Sequence, residues 1–241
     1  MMTPLATALL LSFVHLGAGQ IDALHAIPRP RLLSFASGVA IALVFVELLP
    51  EFAFAQTVAS QATAGAAGVI EARPFLAALL AVVMFLGLER ILLRARRPAR
   101  ALADGSAAGG IYWVHIAVFA FYNALIGFVI VHRLAPGESH RVPLGIALAL
   151  HVLVNDVGLR WHYKRHYGGT GRWILVASPL LGWGAAQGTT LSSSAVGVLL
   201  GFLAGGILLN TVKEELPEDR EARFWPLAFG ALVYALVAPL L

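Results

Sequence analysis

The sequence predicts an all-α integral membrane protein with eight transmembrane helices arranged as three, two and three. Three observations support this prediction: the composition, the positions of the basic residues, and a pattern that occurs twice along the chain. The 241 residues are 59% hydrophobic and only 12% charged, and the mean hydropathy is +0.80. A soluble domain carries about 25% charged residues. Because so few polar side chains could not cover a water-exposed surface, we expect one membrane domain over residues 1–241.

The predicted spans follow from the lengths of the apolar runs. A helix that crosses a bilayer needs about 20 mostly apolar residues. Eight runs meet this criterion: residues 3–20, 32–53, 74–93, 111–131, 142–161, 173–189, 193–213 and 224–240. The first run has small residues near Gly17, as a signal peptide would, but it lacks a positively charged n-region and is therefore interpreted as a span.

The basic residues give the chain an orientation. All 17 Lys and Arg residues except Arg73, Arg133 and Arg141 lie in or beside the loops after spans 1, 3, 5 and 7. Loops on the cytoplasmic side of membrane proteins are enriched in Lys and Arg. We therefore expect both termini outside, with lipid as the surrounding partner. The high Ala, Gly and Arg content and the lack of cysteine indicate a bacterial inner membrane.

Composition also excludes two other classes of protein. The chain contains no cysteine, so it has neither disulfides nor a thiolate metal site. Its basic residues occur in short clusters between apolar runs, as in the loops of a membrane protein, so no nucleic-acid partner is expected.

Two segments, 34–51 and 201–218, share a pattern without gaps. The matching pairs are Phe35 and Phe202, Gly38 and Gly205, Glu47 and Glu214, Leu49 and Leu216, Pro50 and Pro217, and Glu51 and Glu218. The segments belong to spans 2 and 7, which cross the membrane in opposite directions. Inverted repeats of this kind are typical of secondary transporters. The predicted units are residues 1–93 and 173–241, with a central helix pair over 111–161 between them.

Polar residues inside the spans indicate where a functional site lies, because ionisable groups in a bilayer are costly and face the bundle interior. The densest cluster is in span 5, where His151 and Asn155 share a helix face and Asp156 follows. Asn123 lies in the neighbouring central span. Imidazole nitrogen, amide oxygen and carboxylate can all bind a divalent cation.

A second interpretation stays open for the same residues, because intramembrane His and Asn also form hydrogen bonds that hold helices together. An enzyme is not expected, since a His and an Asp without a spaced Ser, Cys or second carboxylate do not form a catalytic constellation.

The chain resembles the ZIP family of divalent-metal transporters. The residues that resemble it are Ser34–Gly38 with Glu47–Glu51, Phe85–Arg90, and Ala204–Gly206 with Glu215–Glu218. The resemblance implies the same eight spans, an inverted arrangement and a homodimer. It also implies transport of zinc, iron or manganese, with Asn123, His151, Asn155 and Asp156 as the metal-binding residues and no resident cofactor.

The metal site is degenerate compared with the family pattern. Span 4 of that family usually has a His before the Asn and an acidic residue after it, where this chain has Tyr122 and Ile126. Span 5 lacks one acid, a Pro and a second His. The expected function is therefore a ZIP-like transporter of a divalent cation. The alternative is a ZIP-fold membrane protein that has lost metal transport and carries another substrate or has a structural or regulatory role.

Overall fold

The computed structural model describes residues 2–18, 29–62, 73–101, 105–133, 142–163, 169–215 and 223–240. Among these residues the regular structure is entirely helical. The helices are α1 (Pro4–Gly17), α2 (Arg29–Leu43), a π-helical turn (Val44–Leu48), α3 (Leu49–Ala62), α4 (Pro74–Ala101), α5 (Gly105–Arg133), α6 (Val142–His162), α7 (Thr170–Ala186), α8 (Ser193–Glu215) and α9 (Phe224–Val237), followed by a 3₁₀ turn (Ala238–Leu240).

Each predicted span coincides with a helix, and five of the described helical segments are long and apolar enough to cross a bilayer. They are Arg31–Thr57, Pro74–Ile91, Gly110–His132, Val142–Arg160 and Ser193–Glu215. The helices at the other three predicted spans, α1, α7 and Phe224–Leu240, are shorter. The all-helical fold with several membrane-compatible helices agrees with the sequence analysis, while the count of eight spans stays a prediction.

The orientation prediction rests partly on residues that the structure does not describe. Arg141, Lys164, Arg165 and Arg220 lie outside the described residues.

The first apolar run is a packed helix of the bundle. Thr3 accepts a hydrogen bond from the backbone N–H of Ala6 (3.1 Å), and Pro4 occupies the first helical turn. Both features are typical of helix N-termini. One face of α1 is buried, including Leu11 and His15, and α1 packs on α6 and α7. The run therefore packs within the bundle, and its assignment as a membrane span stays a prediction.

The second predicted span forms one unbroken run of helix that contains a single widened turn. Pro50 has no N–H to donate to the carbonyl of Val46, and its ring crowds that carbonyl. The π-helical turn at Val44–Leu48 lies directly before it, where a wider turn relieves the crowding. The helix then continues to Ala62, beyond the predicted end at residue 53.

The bundle contains two groups of helices. In one group α7 packs closely on α5 and α1, and α1 packs on α6. In the other, α2 packs on α9 and α4 packs on α8. The groups meet where α6 contacts α2 and where α8 contacts α5 and α6. Large apolar side chains such as Leu80, Phe121 and Leu181 are exposed on the outside, as expected for a lipid-facing surface.

Small residues set the distance between helices in the second group. A Cβ atom at Gly38 on α2 would collide with the carbonyl oxygen of Leu227 on α9. A Cβ atom at Gly205 on α8 would collide with the carbonyl oxygen of Ala78 on α4. Helix backbones in membranes approach closely at such positions, since small residues allow extensive van der Waals contact. The two glycines are the matching glycines of the sequence repeat.

We therefore expect Gly38→Ala and Gly205→Ala each to lower the free energy of unfolding by about 1–3 kcal/mol, because the added methyl forces two backbones apart. Gly87→Ala is the matched control, since a Cβ there meets no atom within 4 Å. It should be neutral or stabilising by up to about 1 kcal/mol, as Ala favours helix over Gly. Thermal unfolding of the purified protein in detergent measures the difference. Equal stability of Gly205→Ala and Gly87→Ala would contradict this packing.

Candidate functional site

The four predicted site residues are all buried, but they do not converge on a single point. Asn123 lies on α5, and His151, Asn155 and Asp156 lie on α6. Their side chains are at most 5% exposed. Within the described residues, no group of three or more His, Cys, Asp or Glu side chains is placed to hold a metal ion. The expected four-residue metal site therefore divides into three separate local arrangements.

His151 and Asn155 form the first arrangement. Asn155 Nδ2 donates to His151 Nε2 (3.0 Å), as their spacing of one helical turn predicts. This contact assigns the proton of a neutral imidazole to Nδ1, which faces the hydroxyl of Thr211 on α8 at 3.5 Å. The ring of Tyr122 on α5 packs against the imidazole, with ring centres 6.1 Å apart. His151 therefore lies where α5, α6 and α8 meet.

Asp156 forms the second arrangement, on another side of α6. Its Oδ2 accepts a hydrogen bond from His15 Nδ1 on α1 (2.8 Å). Both side chains are 1% exposed. Successive helical residues point about 100° apart, so Asp156 faces α1 while Asn155 faces α8. The assignment of Asp156, together with His151 and Asn155, as a metal-binding residue stays a prediction.

Asn123 forms the third arrangement, on α5. Its Nδ2 donates to the carbonyl oxygen of Phe119 one turn earlier (2.8 Å). Its Oδ1 has no hydrogen-bond partner among the described residues. The nearby Gly127 packs against the backbone of Pro179 on α7, so this glycine serves the close contact between α5 and α7.

A polar pocket adjoins these residues. Lys213 Nζ donates to Glu89 Oε2 (3.0 Å), and His115 Nε2 lies 3.9 Å from the same oxygen. His115 Nδ1 also hydrogen-bonds the hydroxyl of Tyr163. The polar side chains that line the pocket are Glu89, His115, Asn155, Tyr163, Lys213 and Glu214. The pocket therefore extends from a charged cluster on α4, α5 and α8 to Asn155 on α6.

Sequence reasoning missed part of this pocket. Glu89 was not among the predicted site residues, and the structure pairs it with Lys213. Glu214 was noted only as a member of the repeat. Its carboxylate packs against Gly158, where a Cβ atom would lie 2.6 Å from Oε1. The sequence signal for this contact was Gly158, which follows Asn155 by about one helical turn, together with Glu214, an acidic residue of the repeat.

Two more acidic residues of the repeated segments, Glu47 and Glu215, are also engaged between helices. The hydroxyl of Tyr234 on α9 donates to Glu47 Oε1 in the π-helical turn. Ser34 and Ser37 on α2 donate to the two carboxylate oxygens of Glu215 on α8, at 2.9 and 2.7 Å. These contacts connect the helices of the two repeats and stabilise the bundle.

The buried His15–Asp156 pair gives a test of the arrangement around α6. Removing one member leaves the other buried without its partner, which costs about 3–5 kcal/mol, whereas apolar replacement of both is nearly neutral. We expect His15→Leu and Asp156→Leu each to lower the Tm strongly, and the double variant to recover most of the loss. Thermal unfolding of the four proteins in detergent forms the double-mutant cycle. Additive losses would show that the two side chains do not interact.

Searches of the sequence against protein-family models and against curated proteins find no match.

Proposed function

We propose that the chain is a ZIP-like membrane transporter that moves a divalent metal cation, such as zinc, iron or manganese, through a degenerate site. The observation that carries this proposal is the set of buried polar side chains between α5, α6 and α8, in a bundle with an apolar exterior. Polar residues inside a membrane bundle are costly and mark substrate pathways. The principal members of this set are Asn123, His151, Asn155 and Thr211.

The packing of the helices supports an inverted repeat. In the sequence repeat, Ser34 and Gly38 of α2 correspond to Gly201 and Gly205 of α8. Ser34 accepts from the backbone N–H of Arg223 (3.2 Å), and Gly38 meets Leu227. Gly201 and Gly205 meet Pro74 and Ala78. The α2–α9 pair and the α8–α4 pair therefore pack in the same register. In each pair, two successive contacts are separated by four residues on both helices.

This symmetry supports the arrangement of three, two and three spans, with α5 and α6 as the central pair. We further propose that all eight predicted spans cross the membrane, with both termini outside, in a bacterial inner membrane. The three shorter helices would then cross with the help of flanking residues. The homodimer implied by the resemblance stays a prediction.

We propose that the described side chains offer a cation two separate positions, on different sides of α6, rather than one strong site. The carboxylate of Asp156 with the imidazole of His15 provides the first, and His151 with Asn155 provides the second. Each has few ligands, so each would bind weakly. Weak binding at several positions suits transport, because an ion must leave each site as readily as it enters.

A second candidate function is favoured by a specific observation. Asp156 is hydrogen-bonded to His15, and His151 is hydrogen-bonded to Asn155. Asn123 is hydrogen-bonded to a carbonyl oxygen of its own helix. Side chains already paired in this way also fit a ZIP-like bundle that has lost metal transport and carries another substrate or has a structural or regulatory role. In that case the pairs hold the helices together.

The flux of metals into proteoliposomes distinguishes the two functions. We expect the wild-type protein to take up at least one of Zn²⁺, Mn²⁺ and Fe²⁺ faster than protein-free liposomes, as measured by elemental analysis of the vesicles. Asp156→Asn should reduce the initial rate about tenfold, because it removes the carboxylate that offsets the dehydration of the cation.

Ser12→Ala is the matched control, since Ser12 is buried on α1 and, among the described residues, its hydroxyl donates only to the carbonyl oxygen of Ala8 in its own helix. This variant should transport like the wild type. Uptake of no cation above the protein-free background would exclude the metal-transport proposal and leave the second candidate.

A further inference from the structure

The polar pocket between α4, α5, α6 and α8 contains a small cavity. Its volume is about 20 Å³, and one water molecule needs about 10–15 Å³. The cavity therefore has room for one species of the size of a water molecule or a metal ion. The side chains around it decide which species it favours.

Negative charge prevails among the described side chains that line this pocket. Glu89 and Glu214 supply two carboxylates, whereas Lys213 supplies one ammonium group. His115 adds an imidazole, and Asn155 adds an amide whose Oδ1 has no hydrogen-bond partner among the described residues. Asn155 is 5% exposed, so this acceptor is buried. Carboxylate, amide oxygen and imidazole nitrogen are all ligands of cations, so the pocket favours a cation.

A glycine on α6 allows one carboxylate to approach Asn155. Gly158 lies three residues after Asn155, on the same face of the helix. A Cβ atom at this position would lie 2.6 Å from Glu214 Oε1, so a larger residue would push the carboxylate away. Glu214 is 9% exposed. Its carboxylate is therefore enclosed between α8 and the face of α6 that carries Asn155.

The ammonium group of Lys213 already makes the contacts that a bound cation makes. Its Nζ donates to Glu89 Oε2 (3.0 Å) and lies 5.5 Å from the centre of the Phe119 ring. A cation at this distance is attracted by the negative face of an aromatic ring. Glu89 and Phe119 both line the pocket. The lysine therefore neutralises one of the two carboxylates from within the pocket.

A metal ion and this ammonium group exclude each other. Like charges a few ångströms apart repel strongly in a partly buried site, so a metal ion gains both carboxylates only after the lysine has left. Lysine suits such exchange, since its charge is carried on a flexible four-carbon stem. The side chain of Lys213 is 21% exposed, so it is not enclosed as tightly as Glu214 is.

We propose that Lys213 is a tethered cation of this pocket and that a divalent metal ion binds there only in its place. The expected ligands are the carboxylates of Glu89 and Glu214 and the amide oxygen of Asn155. Among the described residues no three acidic or imidazole groups are placed to hold a metal ion, so binding requires the lysine to leave and the carboxylates to approach each other.

This inference rests on the proposed function, because it assumes that metal ions reach the contact region of α5, α6 and α8. It adds an inhibitory contact to that function. The ammonium group lowers the apparent affinity of the pocket for metal by the fraction of molecules in which it occupies the pocket.

The test measures metal binding by the purified full-length protein in detergent, without any transport. Thermal unfolding is followed over a series of MnCl₂ concentrations, because oxygen ligands suit Mn²⁺ and a bound ion raises the Tm. Lys213→Gln keeps a hydrogen-bond donor for Glu89 but removes the charge. We expect its half-maximal rise in Tm at a Mn²⁺ concentration about tenfold below that of the wild type, because a site that is open about one tenth of the time binds about tenfold more weakly than one that is always open.

Three further variants control this result. Lys213→Met removes the charge without adding a polar group and should show the same gain in affinity. Glu214→Gln in the Lys213→Gln background should abolish the gain, since it removes a carboxylate of the pocket. Arg90→Gln changes the net charge by the same amount as Lys213→Gln. Arg90 is exposed and is not among the described residues that line the pocket, so this variant should respond to Mn²⁺ as the wild type does.

Equal half-maximal Mn²⁺ concentrations for the wild type and Lys213→Gln would overturn the proposal. A gain that Arg90→Gln shares, or one that persists after Glu214→Gln, would also overturn it. If metal crosses the bilayer but Lys213→Gln shows no gain, the proposed function stands and this inference fails. If the gain is found but no metal crosses the bilayer, divalent transport fails and the metal pocket stands.

Discussion

The close approach of helix backbones at small residues is the constraint on which the rest of this structure depends. At Gly38 and Gly205 the neighbouring helices meet backbone to backbone, and Gly127 and Gly182 do the same between α5 and α7. Apolar side chains alone give little preference for helix contact over lipid contact, so close van der Waals packing must supply it. This packing encloses polar side chains that would otherwise face hydrocarbon, where unsatisfied groups are costly.

The enclosed polar side chains differ in how far the protein satisfies them. His15 with Asp156 and Glu47 with Tyr234 are paired across helices and contribute to the stability of the bundle. Asn210 is buried without a partner among the described residues, and the free oxygens of Asn123 and Asn155 are in the same state. The packing of the bundle alone accounts for the polar side chains that have hydrogen-bond partners. These unsatisfied amides lie on three different helices, α5, α6 and α8.

Much of the fold could be predicted because hydropathy and helix length are local properties. Some helices begin and end close to the predicted limits, as α8 at Ser193–Glu215 shows, whereas the helix of the second span extends nine residues further, to Ala62. The site was less predictable, because it depends on which helix each face meets. Asp156 is adjacent to Asn155 in sequence, yet it turns to His15 on α1. The burial of the Asn210 amide was not predicted, since a single amide in an apolar span gives no local signal.

The proposed transport requires a polar route between α5, α6 and α8 that is accessible from water. The native chain contains no cysteine, so single cysteines can report accessibility without background. The direct measurement is labelling of Asn155→Cys in membranes with a charged, membrane-impermeant thiol reagent, compared with Leu80→Cys on the apolar exterior. If this route exists, the cysteine at position 155 reacts from water while the one at position 80 does not. Equal lack of reaction at both positions would contradict it.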